Sequence, residues 1–131
     1  MEGVTEEGLR TLVEHFYARV RQDLALGPVF NGAIHDWPEH LVRLQAFWSS
    51  IMLGSGRYKG RPLPAHLRHE AAITPALFDR WLALWRETTS ELMAAPVAAA
   101  LQEKAGRIAQ SLTLALEDHR DRQRQPTAVG A

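Results

Sequence analysis

A chain of 131 residues with 46% hydrophobic content amounts to one domain and is long enough to bury a core. Its 15 Lys+Arg balance its 15 Asp+Glu, which argues against a broad electrostatic grip on nucleic acid or on an anionic membrane. It contains no Cys, so disulfides, thiolate catalysis and Cys-ligated zinc or iron–sulfur sites are excluded.

The first predicted helix starts after Thr5, an N-cap residue followed by Glu6 and Glu7 in the positive first turn. Leu9, Leu12, Val13, Phe16, Tyr17 and Val20 then recur at helical spacing. Gly27-Pro28 ends this helix, and residues 28–35, with Phe30 and Asn31, read as a short turn-like stretch. A second helix begins near Asp36 and tolerates Pro38 in its first turn; Leu41, Leu44, Phe47, Trp48 and Ile51 mark its buried stripe. Gly54-Ser55-Gly56 stops it. The segment 54–64 carries three Gly and two Pro and reads as a loop, followed by a short apolar piece around 63–72. Thr74-Pro75 opens a third long helix, with Leu77, Phe78, Trp81, Leu82 and Trp85 on adjoining faces. Ala95-Pro96 starts the last helix, with Val97, Leu101, Ala105, Ile108 and Leu112 inward. From about residue 120 the chain is polar, which predicts a folded domain over 1–120 and a disordered tail over 121–131. There is no internal repeat, no low-complexity tract and no convincing strand.

Four main helices and a glycine-rich loop also describe an ordinary helical bundle. Polar atoms on inward faces argue for more. Tyr17 lies on the first buried stripe, where its hydroxyl needs a partner, and Trp81 places an indole N–H on the inner face of the third long helix. Each alone reads as a core aromatic. His40 borders the stripe of the second helix and alone reads as a structural histidine. His66, between Leu63 and Leu67, is a candidate haem-iron ligand, since a neutral imidazole is the usual proximal ligand in globins. His69 is its rival, in a more polar stretch. Zinc fits poorly, because no third ligand accompanies this i, i+3 pair.

These residues lie in stretches that resemble the group III truncated haemoglobins. The stretches are Phe16-Tyr17 through Gly27-Pro28-Val29-Phe30-Asn31, then Trp37-Pro38-Glu39-His40, Phe47-Trp48, Leu53-Gly54-Ser55-Gly56-Arg57-Tyr58 through His66-Leu67, and Phe78-Asp79-Arg80-Trp81. The resemblance runs from about residue 9 to about residue 117. It implies an all-α, two-over-two helical globin fold holding one haem b. His66 then matches the proximal iron ligand, and Tyr17, His40 and Trp81 match the distal polar trio. Phe30 matches the aromatic packed on the haem face, Leu44 the apolar distal position, and Trp48 an aromatic of the second helix. The sequence departs from the family pattern after His66, where Arg68-His69-Glu70 replaces a Pro-rich turn, and at Trp85, where Phe is more usual.

The resemblance implies reversible binding of O2, CO or NO at the haem iron. A haem enzyme for NO dioxygenation or peroxide reduction is the alternative, and it needs an external reductase. A haemless helical module that binds a protein partner is the third reading. Arg57, Tyr58, Lys59 and Arg68 are the candidate partners of the haem propionates. The expected state is a monomer or weak dimer. No apolar run approaches the roughly 18 residues of a membrane span. The acidic start Met-Glu-Gly-Val-Thr-Glu-Glu has no apolar signal core, so the expected location is the cytoplasm.

Overall fold

A computed structural model describes residues 3–59 and 73–124. Among these residues there are five helices and no strand: α1 (Glu6–Gln22), α2 (Leu26–Ala33), α3 (Trp37–Leu53), α4 (Pro75–Leu92) and α5 (Ala95–Arg124). The expected short apolar piece around 63–72, with His66 and His69, lies outside the described residues.

Local chemistry fixes three helix starts where the sequence places them. Thr5 Oγ1 accepts the Gly8 N–H at 3.0 Å, Asp36 Oδ1 accepts the Glu39 N–H at 3.1 Å, and Thr74 Oγ1 accepts the Leu77 N–H at 3.3 Å. Gly54 ends α3 in the left-handed region at φ 65°, which a residue with a Cβ disfavours.

The expected turn at 28–35 is a helix instead. Asp23 Oδ2 accepts the N–H groups of Ala25 (3.1 Å) and Leu26 (3.0 Å), so the carboxylate covers the donors that open α2. Pro28 sits in the first turn, where its missing N–H costs nothing. Gly27 is there for space: a Cβ would stand 2.7 Å from the backbone oxygen of Arg21. That contact lets α2 lie close against the end of α1, and Asn31 Nδ2 donates to the same oxygen at 3.1 Å. At the other end of the chain, α5 runs on through Arg124, so the first residues of the polar tail are helical; an Arg122–Asp118 pair at 2.8 Å lies within that stretch.

The helices form two antiparallel pairs. The start of α1 meets the second half of α3, where Gln45 Nε2 donates to the backbone oxygen of Glu6 at 3.4 Å and Ser49 Oγ donates to its carboxylate. Tyr17, further along α1, meets His40 near the start of α3. In the second pair Trp85 Nε1 of α4 donates to the Leu101 oxygen of α5 at 3.1 Å, and Gln102 Nε2 reaches the Thr89 hydroxyl at 2.9 Å. α1 also packs on α2 and α4, which stacks one pair over the other. This is the expected all-α, two-over-two sandwich. Its core is a continuous apolar cluster in which Leu9, Leu12, Phe16, Val20, Trp85 and Leu101 are wholly buried. No helix among the described residues is long and apolar enough to cross a membrane.

Candidate functional site

The two helix pairs do not close on each other completely. Between them lies a cavity of about 890 Å³, within the size range of cofactor and ligand sites. Helices α1 to α3 supply one wall, through Tyr17, Phe30, His40, Leu44 and Phe47. Helices α4 and α5 supply the other, through Leu77, Phe78, Trp81, Ile108 and Leu112. Several of these large apolar side chains are only half-buried because they face this space and not one another. The lining is what a flat, apolar, aromatic-compatible ligand requires.

Nine of the residues singled out from the sequence line this one cavity: Tyr17, Phe30, His40, Leu44, Trp48, Arg57, Tyr58, Lys59 and Trp81. They come from α1, α2, α3, α4 and the loop after α3. His66 and Arg68 lie outside the described residues. Phe47, Leu77, Phe78, Ile108 and Leu112 were legible as inward positions, but helical spacing does not say whether an inward residue meets the core or a cavity.

Polar groups enter the cavity from both walls. Tyr17 is 3% exposed, with its ring centroid 6.0 Å from Phe30 and 6.4 Å from His40, the latter pair edge-on at 88°. Burial pushes the Tyr17 phenol well above its ordinary range, against a smaller, opposing hydrogen bond from the Trp81 side chain. Indole nitrogen only donates, so the Trp81 side chain can act on the phenol only through its oxygen, which leaves the phenol proton for another acceptor. Burial, with the Arg43 charge adding to it, pushes the His40 imidazole below its usual value, so it is neutral at neutral pH.

A matching family follows from the same stretch of chain. Residues 3–117 match the bacterial-like globin family. The chain belongs to this family. The globin is 38% identical over 91 residues to a group 3 truncated hemoglobin of Campylobacter jejuni, a match that spans 66% of this chain and 71% of that one. It also superposes on the crystal structure of the group III truncated hemoglobin from Campylobacter jejuni with a TM-score of 0.78 and 33% sequence identity, covering 88% of this chain and 94% of the other. A globin of this family is a haem-binding protein, and the cavity fits such a group on its own terms. Its walls are apolar and aromatic, and the buried Tyr17 phenol lines it.

The mouth of the cavity is held by polar ties. Tyr58 N–H donates to Ser50 Oγ at 2.9 Å, and its ring stands edge-on to Phe47 at 5.2 Å. Arg57 pairs with Glu6, and Glu6 also accepts from Ser49, so the loop after α3 is fastened to the start of α1. Arg43 pairs with Glu39. Lys59 is the rim cation that, among the described residues, has no ion pair.

Asp23 fastens the far side. Its Oδ1 accepts from Arg80 Nε at 2.8 Å and Nη2 at 2.6 Å, while Oδ2 caps α2. One carboxylate thus ties the helix carrying Phe30 to the helix carrying Trp81. The Arg80 guanidinium is the main reason the Asp23 carboxyl lies below the usual carboxylate range; the Leu26 and Ala25 N–H groups add to this, and burial opposes it. Sequence reading did not single out Asp23, since an acid before a Gly-Pro pair has the signature of an exposed loop.

Proposed function

We propose that the globin holds one haem b in this cavity, with His66 as the proximal iron ligand, and reversibly binds O2, CO or NO on the face lined by Tyr17, His40 and Trp81. The observation that carries this reading is that a phenol, an imidazole and an indole from three helices line one apolar cavity. The haem supplies an iron that takes a diatomic ligand. Tyr17 supplies a hydrogen-bond donor in a water-poor space, where a donor aimed at a partly charged acceptor is worth about 1.5–3 kcal/mol. Trp81, whose indole N–H can only donate, supplies a second donor in the same cavity. His40, neutral and half-buried at the edge, borders the way in from the side of Arg43. Lys59 and Tyr58 at the mouth are placed to meet the propionate carboxylates, because Arg57 and Arg43 are already paired.

A second reading is a haem enzyme for NO dioxygenation or peroxide reduction, served by an external reductase. It is favoured by the number of polar groups lining the cavity, which exceeds what reversible carriage needs.

Titration of the purified protein with hemin tests the first reading. A Soret band is expected at one haem per chain, and His66→Ala should lose it or hold haem loosely. Unchanged uptake by His66→Ala moves the ligand role to His69. Failure of the unaltered protein to take up hemin sinks the proposal.

A further inference from the structure

Three of the four tryptophans form a column. The Trp81 and Trp85 rings are parallel to within 3° with centroids 5.8 Å apart, and Trp85 and Trp48 lie within 17° at 4.7 Å. Trp81 and Trp48 both line the cavity, Trp48 at 1% exposure, and Trp85, wholly buried, lies between them. Phe16 closes the column edge-on, at 5.6 Å from Trp81 and 4.8 Å from Trp85.

Filling a core calls for apolar volume, which Phe or Leu supplies equally well. An indole column adds something else. Indole is among the side chains that most readily give up one electron, and near-parallel rings in contact exchange an electron vacancy between them. Sharing the vacancy spreads its positive charge over more than one ring. The Leu101 carbonyl oxygen, 3.1 Å from Trp85 Nε1, aims the negative end of a dipole at that charge. A carbonyl is too weak a base to remove the indole proton, so the vacancy stays a cation and remains mobile within the column.

We propose that Trp81, Trp85 and Trp48 form a one-electron reservoir for the haem site, used when a hydroperoxide is reduced there. The proposal rests on haem occupying the cavity. Cleaving the O–O bond of a hydroperoxide consumes two electrons and two protons and yields an alcohol and water. The protons come from solvent. A bound haem would supply one electron and Trp81 the other. Trp85 then passes an electron to Trp81, and Trp48 shares the vacancy with Trp85, with no bond made or broken. Two equivalents of an external one-electron reductant restore the haem and the column.

The test is rapid-freeze electron paramagnetic resonance of the holoprotein mixed with cumene hydroperoxide. It is run with ordinary and with ring-deuterated tryptophan, and on Trp85→Phe and Trp48→Phe. The expected result is an organic radical whose line shape changes on deuteration and whose yield falls at least tenfold in Trp85→Phe, while the Soret band and hemin stoichiometry are kept. Trp48→Phe, which removes one end ring and leaves the stacked Trp81–Trp85 pair, should lower the yield less. If Trp85→Phe does not fold, the deuteration result and Trp48→Phe decide. A signal blind to deuteration, no signal at all, or equal yield in the variants that fold overturns the reservoir and leaves the haem reading standing. Absence of a Soret band in the unaltered protein overturns both.

Discussion

Replacing Tyr17 by Phe removes one oxygen atom from the distal space and keeps the ring that packs against Phe16 and Phe30. A lost donor to a partly charged acceptor costs about 1.5–3 kcal/mol, or roughly ten- to a hundredfold at 1.4 kcal/mol per decade. The structure places the effect at the lower end. Trp81 brings a second donor, its indole N–H, into the same cavity, and without the phenol oxygen it is free to turn to the ligand. O2 release from Tyr17→Phe should therefore quicken about tenfold, and from Tyr17→Phe/Trp81→Phe about a hundredfold or more. The double variant should exceed the product of the two single effects, since each residue covers part of the other's loss. Stopped-flow displacement of O2 measures this directly. CO release is the control, because bound CO carries less charge and gains less from a donor. An O2 release rate unchanged in Tyr17→Phe, or a CO release rate that rises just as much, refutes the reasoning.

Gly27→Ala sets a steric cost against a helix-propensity gain. The new Cβ meets Arg21 oxygen at 2.7 Å and Arg21 carbonyl carbon at 3.3 Å, both backbone atoms that no rotamer change can move. Overpacking costs about 1–3 kcal/mol against roughly 1 kcal/mol gained by Ala over Gly in a helix. Net destabilisation with weaker haem retention is expected, because α2 backs away carrying Phe30; urea unfolding that shows equal or greater stability contradicts it. Asp23→Asn should be less stable than the native protein at neutral pH. The folded-state carboxyl pKa is depressed, so its stabilisation is present above the usual carboxylate range and is lost as pH falls through the folded value. The gap in melting temperature between the two proteins should close on acidification, and a gap that stays constant to the acid limit removes Asp23 from the account.

The helix starts at Thr5, Asp36 and Thr74 were legible because a cap is a contact between near neighbours in sequence. The helix α2 was not, because Gly27-Pro28 has the same local signature whether it ends one helix or begins the next. The contact that decides is tertiary, the approach of Gly27 to Arg21. Tyr17, His40 and Trp81 were legible as inward polar groups, and their resemblance to a known trio brought them together before the cavity was seen. Trp85 stood out from sequence only as a Trp where Phe is more usual. Only the fold shows that it lies between Trp81 and Trp48 as the middle of a column.

A cavity of about 890 Å³ in a chain of 131 residues removes much of the contact that would otherwise hold two helix pairs in register. The apolar cluster behind the cavity supplies part of what is missing, and polar ties at its edges supply the rest. Those ties share one partner. Glu6 reaches Ser49 and Arg57 beyond α3, Arg19 reaches Thr88 and Glu91 on α4, and Asp23, just past the end of α1, reaches Arg80 on α4 and the opening turn of α2. Exposed ion pairs contribute little stability singly, so their effect here is positional. Each fastens another helix to α1, the element that carries Tyr17. Trp81, one turn before Trp85 on α4, is set against Tyr17 by the same frame, since Arg80 is its neighbour in sequence and the Trp85–Leu101 hydrogen bond fixes α4 on α5. The distal hydrogen-bonding geometry and the indole column are therefore two products of one constraint, the position of α4 relative to α1. A substitution that slides α4 must disturb both together, whereas one confined to the Tyr17 hydroxyl disturbs only the first.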